Sequence, residues 1–369
     1  MKLMYCLNSL KIKGGLERVL CERVNYMYEN FNYDIILVTT DQNNENLSYK
    51  LDKRIKVKDL NINYFENNYK NIVLRYFFNI KRYVLHWKRF LKIIRKEKPD
   101  FIISFGYEDK IIFPFLKKGN FKLIREFHIG KYKEKKSIIN NIKDILNKIL
   151  LKKYDKYITL TLADKILRKD NKIIVISNPL TNIPLESSKC ENKKIISVGR
   201  LEYQKGYDIL IEVWKIISEK YPNWVLEIYG EGSDRKKLQE KINSLGLQET
   251  FLLKGTTENI QEKYLESSIY VMSSRFEGFG LVLIEAMSFG LPVVAFDCPC
   301  GPSEIITNNK DGFLIRFNNI EQMAKKIEEL IIDKEKRKTF GSIGKKNVQR
   351  FSQEKIMKQW KNFFERNRV

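Results

Sequence analysis

Two glutamates and two cations in the second half of the chain have types and spacings that could do chemistry. Glu277 and Glu285 are separated by seven residues in SSRFEGFGLVLIEAMSFGLPVVA, residues 273–295. The first lies in a glycine-rich loop and the second one turn into the helix that follows. Gly278 and Gly280 let the backbone approach a ligand closely, and the N–H groups of Phe279, Gly280 and Leu281 sit at a helix N-terminus, which suits an anion. A carboxylate just inside that helix can accept from both hydroxyls of a ribose, and the loop carboxylate can accept from a second sugar. An acid favoured by the helix dipole explains one glutamate, but not the glycines on either side of Phe279.

The cations lie in GRLEYQKG, residues 199–206, directly after an expected strand and opening a helix. Ligands of open α/β sheets bind beyond the carboxyl ends of strands, where Arg200 and Lys205 stand. A guanidinium fork and an ammonium point charge together offset roughly two negative charges, those of a nucleotide diphosphate. The bland reading is a solvated basic turn. A third segment, KGGLERV at 13–19, opens the first helix with Gly14-Gly15, which is either another anion cradle or a plain turn. His128 ends the run LIREFH at a strand terminus, where a neutral imidazole could hydrogen-bond a sugar or steer a hydroxyl; a satisfied structural histidine is the alternative. His86, inside a basic aromatic helix, reads as structural or surface.

These groups need a scaffold, and short β-branched runs alternating with helical stretches supply it. Strands are expected at 3–7, 34–40, 55–60, 101–105, 122–127, 156–160 and 173–177, with helices at 16–29, 71–96 and 137–153. A loop with Pro184 and a polar run follows. The alternation then restarts, with strands at 194–198, 225–229, 251–253, 269–272 and 292–295. Helices are expected at 206–220, 234–245, 260–265, 281–289, 320–332 and 355–366. Unbroken apolar runs such as Ile35–Val38 suit parallel strands buried on both faces. The expected fold class is α/β: two facing doubly wound, Rossmann-like domains with an interdomain cleft. The first domain is expected over 1–178, a linker over 179–193 and the second domain over 194–352. Residues 353–369 should form a terminal helix packing back toward the first domain. No G-x-G-x-x-G follows the first strand, which argues against a dinucleotide site.

The three motifs, in this order and spacing, resemble those of the retaining nucleotide-sugar glycosyltransferases of family 4, which have the GT-B fold. The segments ISNPL (176–180), YGEG (229–232) and DCPCGPSEII (297–306) are similar to family segments as well. The resemblance implies that Arg200, Lys205, the backbone of Gly15 and the N–H of Leu281 hold the donor diphosphate. It implies that Glu285 takes the ribose, and that Glu277, with Phe279 and Gly280, takes the donor sugar. The base would lie near Thr257, after Gly255, and Glu277 and His128 would be the catalytic pair. The implied donor is a nucleotide sugar, UDP-linked, and the implied acceptor a glycan. No D-x-D occurs, so no metal and no other cofactor is expected. A sugar-nucleotide epimerase of the same architecture is the rival enzyme reading.

Charge adds a partner. Of the net +23, residues 1–190 hold 39 Lys+Arg against 20 Asp+Glu, and residues 191–369 hold 29 against 25. Such a basic first half suits a polyanion: an anionic membrane surface, a lipid-diphosphate-linked acceptor or nucleic acid. A non-enzymatic nucleic-acid-binding protein is the second alternative, suggested by charge alone; no nucleic-acid-binding motif is recognisable, so a nucleic-acid partner is not expected. Residues 69–98 carry ten Lys or Arg and one acid, with Phe77, Phe78, Trp87 and Phe90 among them, as a helix lying in a membrane interface would. A helix packing its apolar stripe on the sheet with lysines in water is the alternative, and both can hold for different faces. The longest uncharged stretch, 13 residues at 173–185, is too short to span a bilayer, and the opening MKLMYCLNSLK is too short for a secretory signal. The five cysteines lack metal-ligand spacing and read as reduced thiols, so the expected location is cytoplasmic, peripheral on the inner face of the membrane.

Overall fold

Residues 1–64, 72–106, 109, 113, 116, 119–130 and 149–368 are described by the computed structural model, with the side chains of 72–78 excepted. Each apolar run of the first half becomes a parallel strand. These are β1 (Lys2–Leu7), β2 (Asp34–Thr39), β3 (Lys56–Asp59), β4 (Phe101–Ser104), β5 (Lys122–Phe127), β6 (Lys156–Thr159) and β7 (Ile173–Val175). They form one sheet in the order β3-β2-β1-β4-β5-β6-β7. The second half repeats the plan with β8 (Lys194–Val198), β9 (Val225–Tyr229), β10 (Phe251–Gly255), β11 (Ile269–Met272), β12 (Val293–Asp297) and β13 (Gly312–Arg316), ordered β10-β9-β8-β11-β12-β13. The chain has the expected α/β class, two doubly wound sheets.

Alternation along each strand divides the core. In β1, Leu3, Tyr5 and Leu7 face the helix Gly15–Phe31, where Leu20, Val24 and Met27 are buried. Met4 and Cys6 face the opposite side, with Phe90 of the helix Ile72–Glu97. All five cysteines are buried and unbridged.

The chain crosses between the sheets twice, side by side. Leu180 donates its N–H to Phe351 O at 2.7 Å, and Gln353 N–H returns to Leu180 O at 3.1 Å. The helix Gln353–Arg366 then buries Trp360, Phe363 and Phe364. Phe364 meets Phe101 of β4 at 4.9 Å and Tyr33 at 6.3 Å, so the end of the chain packs on the first sheet.

Among the described residues, three α-helices and one strand were not expected from the sequence. The helix Leu162–Arg168 begins at Thr161, whose hydroxyl accepts from Asp164 N–H. That T-x-x-D signal is present in the sequence. The short helix Pro302–Ile305 starts with proline in its first turn, and β13 follows a turn over residues 309–311. The helix Lys334–Asn347 contains Gly341 and Gly344, which weaken its local propensity. Packing accounts for the first of them: a Cβ on Gly341 would stand 1.9 Å from Gly290 O. The helix expected at 137–153 lies mostly outside the described residues.

In the basic helix one expectation needs correction and another is narrowed. Phe90 is not on an interfacial face; it is fully buried and stacks on Phe113 at 4.8 Å. Of the two readings of His86, the surface one fails. The ring is buried with Nδ1 3.1 Å from Tyr64 Oη, and burial pushes its protonation down to about 4. Residues 69–71 and the side chains of Phe77 and Phe78 lie outside the described part.

Candidate functional site

A doubly wound sheet leaves a crevice where its strand order reverses. In the second sheet that point lies between β8 and β11. β8 leads into Gly199, Arg200 and the single turn Tyr203–Lys205; β11 leads into Ser273, Ser274 and the loop of Glu277. Topology alone therefore brings the two motifs together.

The contact is direct. Lys205 Nζ donates to Glu277 Oε1 at 2.7 Å, and Ser274 Oγ donates to the same oxygen at 2.6 Å. Among the described residues no hydrogen bond falls on Oε2, so one oxygen of a buried carboxylate is committed to the protein and the other is not. Arg200 differs: its side chain is 66% exposed and pairs with Glu202 at 3.1 Å on the surface. Gly280 has φ 97°, in the left-handed region that favours glycine, and caps the helix Leu281–Ser288. Phe279 is buried edge-on against Phe351 at 5.2 Å, which anchors the loop rather than exposing its ring.

The first domain closes the crevice at a seam of glycines. A Cβ on Gly278 would stand 1.9 Å from His128 O, and one on Gly130 would stand 2.5 Å from Glu277 O. Only bare backbone permits that approach, and it places His128 next to the Glu277 loop. Nε2 of His128 is buried and lies 2.9 Å from Glu126 Oε1, off the line of a good hydrogen bond, and the ring packs on Phe105 at 5.2 Å. Glu304 reaches across as well, accepting from Leu162 N–H at 2.9 Å and Ala163 N–H at 2.6 Å.

Glu285 is also drawn to the first domain. Its Oε1 pairs with Arg18, and its Oε2 accepts from Tyr264 Oη at 3.4 Å. Burial, then Glu285 itself, pushes the Tyr264 hydroxyl well up, so it stays a neutral donor. Gly15, in the first turn of the same helix as Arg18, is exposed, with open space where a Cβ would stand. Burial raises the carboxyl of neighbouring Glu17, against the pull of its own N–H, His128 and Arg200. Thr257 stands apart from this group: it follows the edge strand β10, two strands from β8, and its hydroxyl accepts from Asn259 N–H at 3.2 Å.

Sequence reasoning used only the glycines of KGGLERV and passed over Glu17 and Arg18, which share the motif. It also missed Glu126 and Arg23, a fully buried pair with Nη1–Oε1 at 2.8 Å and Nη2–Oε2 at 3.0 Å. Burial opposes ionisation of Glu126, yet Arg23 and then His128 more than offset it and hold the carboxyl down at about 2. Its folded value lies below the ordinary 4.5, so this pair stabilises the protein above pH 4.5, and the contribution is lost as pH falls toward 2. Replacing both partners (Arg23→Met with Glu126→Leu) should flatten the acid-unfolding curve in that window. A curve as steep as the wild type's would show that other carboxylates govern acid unfolding.

Among the described residues, no three His, Cys, Asp or Glu side chains form a group that could hold a metal ion. No helix among them is long and apolar enough to cross a membrane.

Residues 183–347 match the profile of the family described as Glycosyl transferases group 1. An uncharacterised glycosyltransferase of Methanocaldococcus jannaschii is 30% identical over 335 residues, covering 75% of this chain and 82% of that protein. A Campylobacter jejuni α-1,4-N-acetyl-D-galactosaminyltransferase, named for a PP-undecaprenol-linked saccharide, is 25% identical over 98% of this chain and 97% of its own. The crystal structure of a mutant of Staphylococcus aureus TarM, in complex with fondaparinux, α-GlcNAc-glycerol and UDP, superposes with a TM-score of 0.81. It has 21% identity and covers 98% of this chain and 99% of that one. Other alignments reach less far: those to relatives from Haemophilus influenzae and Erwinia amylovora span 60% and 47% of those proteins. The likeness to the M. jannaschii protein over most of both chains, with the profile match in the second half, makes this chain a member of the glycosyl transferases group 1 family, with the GT-B fold.

Proposed function

We propose that the chain transfers a hexose or N-acetylhexosamine from a UDP-sugar to a glycan acceptor carried on a lipid diphosphate, with retention at the anomeric carbon and without a metal ion. The observation that carries this reading is the Lys205–Glu277–Ser274 group at the strand-order reversal, with the exposed Arg200 beside it and His128 across the seam. Lys205, Arg200 and the N-terminus of the helix Leu281–Ser288 would stabilise charge on the departing β-phosphate. The uncommitted oxygen of Glu277 would hold the donor sugar. No second carboxylate is assigned as a covalent nucleophile; the acceptor attacks from the face the diphosphate leaves, within an ion pair.

The reading is tested with a panel of nucleotide sugars. UDP or a UDP-sugar should raise the melting temperature, and transfer should need an acceptor and survive EDTA. Turnover of donor alone to UDP and a free sugar product would favour the epimerase reading. Activity that EDTA abolishes and one metal restores would overturn the metal-free mechanism.

The acceptor assignment draws on charge, on the C. jejuni relative's name and on one helix. Ile72–Glu97 exposes Ile80 (44%), Val84 (47%), Leu85 (37%) and Trp87 (37%), interleaved with Lys81, Arg82 and Lys88. An exposed apolar strip flanked by basic residues suits the interface of an anionic bilayer, where each cation contributes about 1 kcal/mol. The protein should float with anionic vesicles at low salt and detach at high salt, and Val84→Asp with Trp87→Asp should weaken flotation at least tenfold. Failure to float with anionic vesicles at low salt would point to an acceptor in solution.

A further inference from the structure

Arg23 and Glu126 are both fully buried, and removing two charges from water is a costly way to hold a helix to a sheet. Well-packed apolar side chains of similar size would serve the core as well. The placement of the pair suggests a use. Glu126 Oε1, which accepts from Arg23 Nη1 at 2.8 Å, also lies 2.9 Å from Nε2 of His128. Nε2 sits off the line of a good hydrogen bond to that oxygen, but an unprotonated nitrogen would still hold its partial negative charge against a carboxylate at that distance, away from water. The Arg23 guanidinium is covered on its other side by Trp360, 4.5 Å from the ring centre, with Tyr5 at 5.3 Å and Phe105 at 5.7 Å. Phe105 is also the ring against which His128 packs. A continuous series of contacts therefore runs from the terminal helix, through Trp360, Arg23 and Glu126, to His128. The backbone of His128 in turn touches the loop of Glu277.

We propose that Glu126 and Arg23 are positioning residues for His128: the carboxylate keeps the ring proton on Nε2, so Nδ1 is the acceptor, and Arg23 under Trp360 fixes the carboxylate. An imidazole with one nitrogen beside a fixed carboxylate is set in its tautomer, as happens for metal-bound and triad histidines, and the Phe105 ring packs on its face. The terminal helix, more than 200 residues from His128 in sequence, is then part of the support of the site. The kinetic consequence rests on the reading of His128 as a participant in transfer; the tautomer does not.

The test reads both. The chain holds two histidines, so imidazole nitrogen NMR on labelled protein shows two rings, and His86→Gln assigns them. At pH about 9, above the ordinary imidazole range, His128 should show the Nε2–H tautomer. A wild-type ring protonated on Nδ1 overturns the proposal by itself. Glu126→Gln leaves Arg23 buried without a counter-charge and is liable to unfold, so Arg23→Met with Glu126→Leu removes both charges together. In that variant the tautomers should mix, and kcat should fall by about 10- to 100-fold with the donor KM within about threefold. Trp360→Leu, which keeps both charges, should give a smaller loss of kcat in the same direction. A folded double variant with the wild-type tautomer and kcat shows that the pair only fills the core. Absence of turnover by wild type with every nucleotide sugar would count against the transferase reading and leave the NMR result to decide this one.

Discussion

Glu277→Gln is expected to slow transfer by about 10²–10³-fold and to leave the affinity for UDP within about threefold. Glutamine keeps the shape of the side chain and an oxygen for Lys205 Nζ and Ser274 Oγ, so the crevice should hold its form. What it removes is the negative charge beside the reacting sugar, which matters more as positive charge builds on the anomeric carbon than in the bound ground state. Glu285→Gln should behave differently. Its carboxylate pairs with Arg18 and Tyr264, and in the proposed role it takes the ribose. That variant should weaken UDP itself at least tenfold. Calorimetry with UDP and initial rates with saturating donor separate the two. Equal loss of UDP binding in both variants would show that the division of roles is wrong.

Lys205→Met should lower UDP affinity at least tenfold, in line with about 1.5–3 kcal/mol for a charge-assisted hydrogen bond. Its turnover should fall further than its affinity, because Glu277 is then left buried without its counter-charge. Some loss of melting temperature should accompany it for the same reason. Arg200→Ala provides the contrast. Its guanidinium is exposed and, among the described residues, pairs with Glu202 at the surface, so the variant should lose UDP affinity about tenfold at unchanged stability. An Arg200→Ala protein with wild-type UDP affinity would remove that residue from the diphosphate site.

Most strands and helices were legible because their cause is local. Runs such as DIILVT and KIISV are rich in β-branched and apolar residues, and each became a parallel strand paired on both sides. Elements that escaped carry mixed local signals: GFLIR at β13 opens on glycine and ends on arginine, and Gly341 and Gly344 lower the propensity of a helix that is nonetheless continuous. Phe90 was misplaced because a basic helix with aromatics can turn those aromatics inward or outward, and the sheet beneath it decides which.

The sequence by itself determined the repeated βα alternation, and with it two sheets, the second of which carries Arg200, Lys205, Glu277 and Glu285 beyond its strand ends. Side-chain type and local periodicity are properties of neighbouring residues, so they can be read without a fold. Only the tertiary structure decided which side chains meet. The Arg18–Glu285 pair joins residues 267 apart, and the Arg23–Glu126 pair joins residues 103 apart. The glycine seam sets His128 beside the Glu277 loop from the other domain. Such pairings follow from how helices settle on sheets and how one domain closes on the other, and no spacing along the chain encodes them.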